Sequence, residues 1–359
     1  MTPPFDSTAL VLCEGRFQTP YAKTAHGLVR GSDRYRIVGV VDSTCAGQDA
    51  GELLDGRRRG IPVFGSIAEA LEKSPEAPRF AVVGVATSGG RFTEELRALL
   101  LEAVRAGLTI VNGLHQPASE DPEIAEEARL RGVEILDIRK PKPTGDLRFW
   151  TGEALEISVP RIAVLGTDCA VGKRTTTRLL AQAANEAGIR TEWISTGQTG
   201  WMQGAPYGIL LDALPNDFVS GELEHAVVSC AREREPDLIL IEGQSSLRNP
   251  SGPCGSELIL SAGARGVVLQ HAPGRPHFEG LEERGWRIPP VEEEIALIRL
   301  LGARTLAVAL NTEGLTPPES ERARDELAGR LGIPVVRPLE DGVEELLPPV
   351  REFVHQGGK

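Results

Sequence analysis

The sequence predicts an α/β protein of two parallel-sheet domains, a Rossmann-like domain over residues 1–150 and a P-loop NTPase-like domain over 151–359. Three observations predict it. Strand-length runs rich in Val and Ile alternate with helical stretches twice along the chain, the pattern of buried parallel strands joined by crossover helices. A stretch with little periodicity, opening on Arg139-Lys-Pro-Lys-Pro-Thr-Gly145, separates the two series; its prolines exclude a helix and favour an extended connector. The second series opens on a glycine-bounded loop between a strand and a helix. At 359 residues the chain is also too long for one ordinary core.

In the first series, Ala9–Leu12, Arg36–Val41, Phe80–Ala86, Thr109–Asn112 and Glu134–Leu136 read as strands, each short, apolar and ended by turn residues. Helices are expected over Phe92–Ala106 and Pro122–Arg131, the latter opened by Ser119 and Asp121, both good helix starters. The first strand runs into Cys13-Glu14-Gly15-Arg16, not the G-x-G-x-x-G of a dinucleotide site. Asp42 after the second strand therefore reads as a turn or cap residue rather than a ribose ligand. His26 reads as a packed or solvated helix residue.

In the second series the strands are Arg161–Leu165, Thr191–Ser195, Leu238–Ile241, Gly266–Gln270, Thr305–Leu310 and Pro334–Val336. Helices are expected over Lys173–Ala187, Glu222–Arg234, Val291–Leu301 and Pro318–Leu331, with Gly188 and Gly302 at C-caps. Asp217 or Ser220 is expected to cap the helix that contains Glu222.

The loop Gly166-Thr167-Asp168-Cys169-Ala170-Val171-Gly172-Lys173 aims backbone N–H groups, a helix dipole and a lysine at one spot, which attracts phosphate. Its spacing is one residue longer than the strict phosphate-loop pattern, and Arg174 occupies the place of the magnesium-binding hydroxyl. Thr175 comes a residue later, turned by about 100° around the helix. Phosphate binding is thus expected over Gly166–Thr176, and no metal site.

Four further segments carry candidate chemistry. Glu242 ends a buried strand, where a base or magnesium organiser sits in phosphate-loop folds. Gln198 and Thr199 follow a neighbouring strand among small residues. His271, Arg275 and Glu279 cluster after another strand: an imidazole suits proton transfer, and a guanidinium holds a carboxylate through paired bonds. Arg248 lies in the loop beyond Glu242.

Lys plus Arg is 39 against 51 Asp plus Glu, a net charge of −12, so no nucleic-acid partner is expected. No apolar run is long enough to span a bilayer, and the N-terminus shows no charged leader. Five dispersed cysteines without a C-x-x-C pair fit a reducing cytoplasm. A homo-oligomer is expected.

The Gly-Thr-Asp-x-x-Val-Gly-Lys loop resembles that of dethiobiotin synthetase, which follows its lysine with Thr. The fuller set is more similar to the D-glutamate N-acetyltransferase family, long known as a domain of unknown function. It comprises Gly166-Thr-Asp-Cys-Ala-Val-Gly-Lys-x-Thr-Thr176, Ser195-Thr-Gly-Gln-Thr-Gly200, Ile241-Glu-Gly-Gln244 and His271-Ala-Pro-Gly-Arg275. Val41-Asp42-Ser43 and Ala46-Gly-Gln-Asp-Ala50 extend it into the first domain. The resemblance implies acetyl transfer from acetyl-CoA to the amine of an acidic amino acid, with D-glutamate expected. On that reading the loop holds coenzyme phosphates, and His271 or Glu242 takes a proton from the ammonium. Gln198 or backbone amides stabilise the oxyanion, and Thr199, Arg248, Arg275 and Glu279 contact the acceptor. The alternative is an ATP-dependent ligase or kinase like dethiobiotin synthetase, with Thr175 and Glu242 recovering magnesium.

Overall fold

The computed structural model describes residues 7–358. Backbone contacts divide it into two compact units, 1–142 with 198–205, and 143–197 with 206–359. The first contains β1 (Ser7–Leu12), α1 (Lys23–Arg30), β2 (Tyr35–Val41), α2 (Ala50–Asp55), β3 (Val63–Phe64), α3 (Ile67–Lys73), β4 (Phe80–Val83), α4 (Glu94–Arg105), β5 (Thr109–Asn112), α5 (Pro122–Arg131) and β6 (Ile135–Asp137). Its six strands run parallel in the order β3-β2-β1-β4-β5-β6. The order reverses beside β1, as in doubly wound sheets. β1 and β4 are buried along their whole lengths, which is why β4 and the Ala9–Leu12 part of β1 are continuously apolar.

At the carboxyl ends of these strands the acids are already engaged. Asp42 accepts from the N–H groups of Arg16, Phe17 and Thr44 and from the Thr44 hydroxyl, so it organises the β1 loop, as its turn reading expects. Asp137 takes the Asn112 amide and the N–H groups of Ala118 and Ser119. His26 packs its ring edge-on against Phe17 and hydrogen-bonds the Phe17 carbonyl.

The second unit holds β7 (Arg161–Gly166), α6 (Lys173–Glu186), β8 (Thr191–Ser195), β9 (Tyr207–Gly208), α8 (Asn216–Arg234), β10 (Leu238–Glu242), α9 (Ser256–Leu260), β11 (Gly266–His271), α10 (Val291–Leu300), β12 (Arg304–Leu310), α11 (Pro317–Leu331), β13 (Val335–Val336) and α12 (Leu347–His355). The short helix α7 (Gln198–Gln203) follows β8 in sequence but packs within the first unit. The seven strands run parallel in the order β13-β12-β11-β7-β10-β8-β9. β7 is thus central, between β11 and β10.

Helix α8 begins at Asn216, two residues after Leu214 and before both expected caps. Asp217 and Ser220 therefore lie inside it, and the Ser220 hydroxyl pairs with that of Ser261. Pro215 supplies the preceding extended residue, which starts the helix without a side-chain cap. Among the described residues no helix is long and apolar enough to cross a membrane.

Candidate anion site at the edge of the second sheet

All six residues of β7 are buried, so the strand is held on both faces and delivers its carboxyl end to a fixed point. Register places Val164 opposite Glu242 of β10, and Gly166 opposite Gln270 of β11. The loop, Glu242 and His271 consequently share one edge of the sheet, where parallel α/β folds bind ligands.

The loop is braced on every side. The Thr167 N–H donates to the Gln270 carbonyl at 3.0 Å, and the Thr167 hydroxyl pairs with His271 Nδ1 at 3.0 Å. Thr176 donates from its hydroxyl to Gln270 Oε1 at 2.6 Å, and Thr177 to the Lys173 carbonyl at 2.8 Å. Gly172 precedes α6 with φ +108°, a conformation glycine adopts without a Cβ clash. Beyond it the first-turn N–H groups of α6 face outward with the positive end of the helix dipole.

Ala170 and Ser245 have φ of +51° and +46°, conformations that cost a non-glycine residue on the order of 1–3 kcal/mol. Ser245 serves the loop lysine directly, and Ala170 lies within the loop itself. Buried Lys173 donates from Nζ to the carbonyls of Asp168 at 2.6 Å and of Ser245 at 2.7 Å. Burial lowers its pKa, opposed by the neighbouring Cys169 and Asp168.

Asp168 is fully buried, and protein donors take both of its carboxylate oxygens. Its Oδ1 accepts from Asn249 Nδ2 at 2.9 Å; its Oδ2 accepts from Arg275 at 3.2 Å and from the Glu279 N–H at 2.8 Å. The same Arg275 nitrogen donates to the Cys169 carbonyl at 2.8 Å. One carboxylate thereby ties together the loops that follow β7, β10 and β11. Asp168 was expected among the phosphate contacts, but an anion facing phosphate would repel it; its role is to fix the loop. Cys169 is half-buried, its thiol donating to the Ser245 hydroxyl at 3.4 Å.

Glu242 is buried, with Oε2 accepting from the Thr196 N–H at 3.2 Å. Burial pushes its carboxyl up to about 7, against the opposing pull of Arg174 and Lys173. This has a testable consequence. Below its ordinary value of 4.5 the carboxyl is neutral in folded and unfolded chains alike. Between 4.5 and about 7 only the unfolded chain ionises it, so stability falls as pH rises, by about 3 kcal/mol in all, and levels off above that window. Urea unfolding of wild type and Glu242→Gln across this range is expected to show the wild type losing ground as pH rises. Parallel curves would refute it.

The next residue is equally constrained. A Cβ on Gly243 would stand 2.2 Å from the Val164 carbonyl oxygen and 3.1 Å from Lys173 Cδ. Gly243→Ala is therefore expected to destabilise by about 1–3 kcal/mol through overpacking and to displace Lys173. An unchanged melting temperature would contradict this.

The other expected site residues are distributed differently. His271 ends β11, but burial takes its pKa down to about 4. It is a weak base at neutral pH, and it braces Thr167. Arg248 is committed to α10, donating to Glu294 and Glu293 at 2.7 Å each; its carboxylate partners are internal ones. Arg174 is half-buried on the first turn of α6 and donates to Thr175 Oγ1 at 3.5 Å. Glu279 is exposed and enters the network through its backbone. Gln198 and Thr199 belong to the first unit, where Gln198 accepts from Arg139 and Thr199 pairs with Thr24 at 2.8 Å. Asn249 and Glu313, which partners Arg275 at 3.6 Å, were not anticipated; neither has a local sequence signal.

Comparison with known proteins gives a consistent family. Residues 148–347 match the model of a domain of unknown function, the DUF1611 C-terminal P-loop domain, and 43–141 match its N-terminal Rossmann-like domain. A D-glutamate N-acetyltransferase of a Pseudoalteromonas species is 30% identical over 272 residues, 74% of this chain and 79% of that protein. The enzyme of that name from Tritonibacter scottomollicae is 30% identical over 274 residues, with the same coverage. The crystal structure of a DUF1611 family protein from Anabaena variabilis superposes with a TM-score of 0.87 at 31% identity, covering 97% of this chain and all of that one.

Proposed function

Because this chain belongs to the DUF1611 family, we propose that it is an N-acetyltransferase that moves an acetyl group from acetyl-CoA to the amine of an acidic amino acid, D-glutamate foremost. The relatives' names support the reaction class. The observation that carries the donor is the loop: it has the lysine, the helix end and the strained backbone of an anion cradle, yet Arg174 stands where phosphoryl-transfer enzymes place their metal-binding hydroxyl. A pyrophosphate or 3′-phosphate fits such a cradle, with Lys173, Arg174 and the amides of 169–173 as its donors. Transfer of an acetyl group breaks no phosphoanhydride, so the loop has only to bind.

In this reaction the amine nitrogen attacks the thioester carbon and the C–S bond breaks as the C–N bond forms. Of the two protons the ammonium loses, one leaves before attack and the other ends on the coenzyme thiol. An extended pantetheine arm reaches roughly 15 Å, the span of four to five peptide-length units. Glu242 is buried beside Lys173, where the phosphates would sit, so on this reading it neighbours the phosphate end of the coenzyme and not the thioester. On this reading Glu242 acts as a charge partner of the loop, taking up a proton as phosphate arrives, and proton removal falls to carboxylates outside the loop.

The test combines two measurements on the purified protein. Thermal shift with acetyl-CoA, coenzyme A and ATP, each with and without magnesium, is expected to show stabilisation by the coenzymes independent of metal. Thiol release and mass spectrometry with D-glutamate are expected to give one N-acetylated product per thiol. Stabilisation by ATP only with magnesium, together with no thiol release, would overturn the reading in favour of an ATP-dependent ligase or kinase.

A further inference from the structure

Beside the loop the second unit opens a cleft of about 240 Å³, lined by Arg275, His277, Glu282 and Glu313 over the backbone of Ala272 and Gly274. That is below the roughly 300–1,000 Å³ of sites for drug-sized molecules, and suits a metabolite the size of an amino acid. We propose that this cleft is the acceptor site, with Arg275 and His277 receiving the carboxylates of a dicarboxylic amino acid and Glu313 receiving its ammonium. The inference rests on the acetyltransferase reading and adds where its second substrate binds.

The geometry of Arg275 carries the argument. One terminal nitrogen is fixed by the loop, through Asp168 and the Cys169 carbonyl. The other stands 3.6 Å from Glu313 Oε2, a long pair whose acid is two-thirds exposed. Such an exposed pair contributes little to stability and exchanges readily for a ligand carboxylate, which can take the guanidinium in the charge-assisted geometry arginine favours. Released from Arg275, Glu313 becomes the acid for the incoming ammonium. Glu282 is less free: its carboxylate accepts from the Gly280 N–H, and backbone hydrogen bonds, followed by the charges of Arg275 and His277, hold it below the usual carboxylate range.

The walls are built rather than loose. His277 pairs with Arg287 in an antiparallel bridge, Phe278 is buried, and its N–H donates to the Trp286 carbonyl at 3.0 Å. The turn at Gly274 lies so close to the next loop that a Cβ would stand 2.7 Å from the Glu313 carbonyl oxygen. The Arg275 guanidinium, the His277 ring and the Glu313 carboxylate thus line one cleft, offering hydrogen-bond partners for two carboxylates and an ammonium. A single guanidinium separates this gap from the anion loop, so an acetyl group carried by a coenzyme anchored there lies within reach.

Calorimetric titration of the full chain with D-glutamate and with glutarate, which keeps both carboxylates but lacks the ammonium, tests the assignment. Glu313→Gln is expected to weaken D-glutamate binding roughly 10–100-fold, the loss of one charge-assisted contact, while glutarate binds as well as or better than to wild type. His277→Ala is expected to weaken both ligands. Glu313 is exposed, and half-buried His277 keeps its backbone bridge to Arg287 when its side chain is cut back, so melting temperature and coenzyme A affinity should stay unchanged. D-glutamate binding unaltered by Glu313→Gln, or D-glutamate and glutarate weakened equally by it, would overturn the site. If acetyl transfer persists with an unaltered KM for D-glutamate in both variants, the cleft assignment fails and the reaction stands. If D-glutamate binds as described but no thiol is released from acetyl-CoA, the reaction fails and the site stands.

Discussion

Replacing Asp168 with alanine will destabilise the second unit by about 3 kcal/mol or more, the largest stability effect expected of any side chain at the site. The reason is connectivity in a dry place. The carboxylate is wholly buried and accepts from Asn249, Arg275 and the Glu279 backbone. Removing it strands a guanidinium and two further donors, and breaking a buried charge pair typically costs about 3–5 kcal/mol. Arg275 retains the Cys169 carbonyl and about a fifth of its exposure, which sets the value at the lower end. Asp168→Asn will rescue it poorly. One carboxylate oxygen faces two donors and the other faces a third, so an amide group presents N–H to N–H in either orientation. Urea unfolding, with hydrogen exchange of residues 161–166 to isolate this unit, measures the effect. A loss under about 1 kcal/mol would show that the three loops hold together without this carboxylate.

On the proposed acetyltransferase reading, Lys173→Met is expected to raise the KM for acetyl-CoA by about 10–100-fold while leaving that for the acceptor within a factor of about two. The side chain is buried against two carbonyl oxygens, at 2.6 and 2.7 Å, and burial already works against its charge. An arriving phosphate supplies the anionic partner those carbonyls only approximate, and a charge-assisted bond contributes about 1.5–3 kcal/mol. Methionine keeps the volume and removes the charge, so packing is preserved. Stability should change less than with Asp168→Ala, because the charge lost was itself costly to bury. Initial-rate kinetics with each substrate varied in turn provide the check. Unchanged donor KM would refute the phosphate cradle; equal rises in both KM values would point to general disorder of the edge.

Much of the fold is legible in the sequence for an identifiable reason. The strands at 109–112 and 191–195 and the helix at 122–131 coincide with their expected bounds, and β1, β2, β7, β10, β11 and β12 differ by one or two residues. Strands buried on both faces of a parallel sheet are continuously apolar, so local pattern suffices. The short helices α2, α3, α7, α9 and α12 and the two-residue strands β3 and β9 were not anticipated, and of α1 only the helical character of His26 was. Elements of this length carry too few residues to establish a period, and packing rather than propensity stabilises them.

The site divides along the same line. The loop with its glycine, lysine and following helix is a contiguous signature, and its outline could be drawn from the chain alone. Partner choice could not. Arg248 and Arg275 look alike as guanidinium groups after strands, yet one is held by Glu293 and Glu294 and the other bridges Asp168 and Glu313. His271 and Glu242 both end strands beside the loop, yet burial lowers the first to about 4 and raises the second to about 7. Desolvation favours the neutral form of either group, and the depth of burial is set by neighbours from distant segments.

The amino-acid order by itself determined two series of parallel strands and one anion-attracting turn, because apolar periodicity and glycine-lysine spacing act between near neighbours. Only the tertiary structure decided that Asp168 faces inward as a tie, that Gln198 and Thr199 pack with the first unit, and that Arg275 stands half in the loop and half in an open cleft. Those outcomes depend on which groups from distant segments meet, from Arg139 with Gln198, 59 residues apart, to Thr24 with Thr199, 175 apart, where burial and distance set the strength of each pairing.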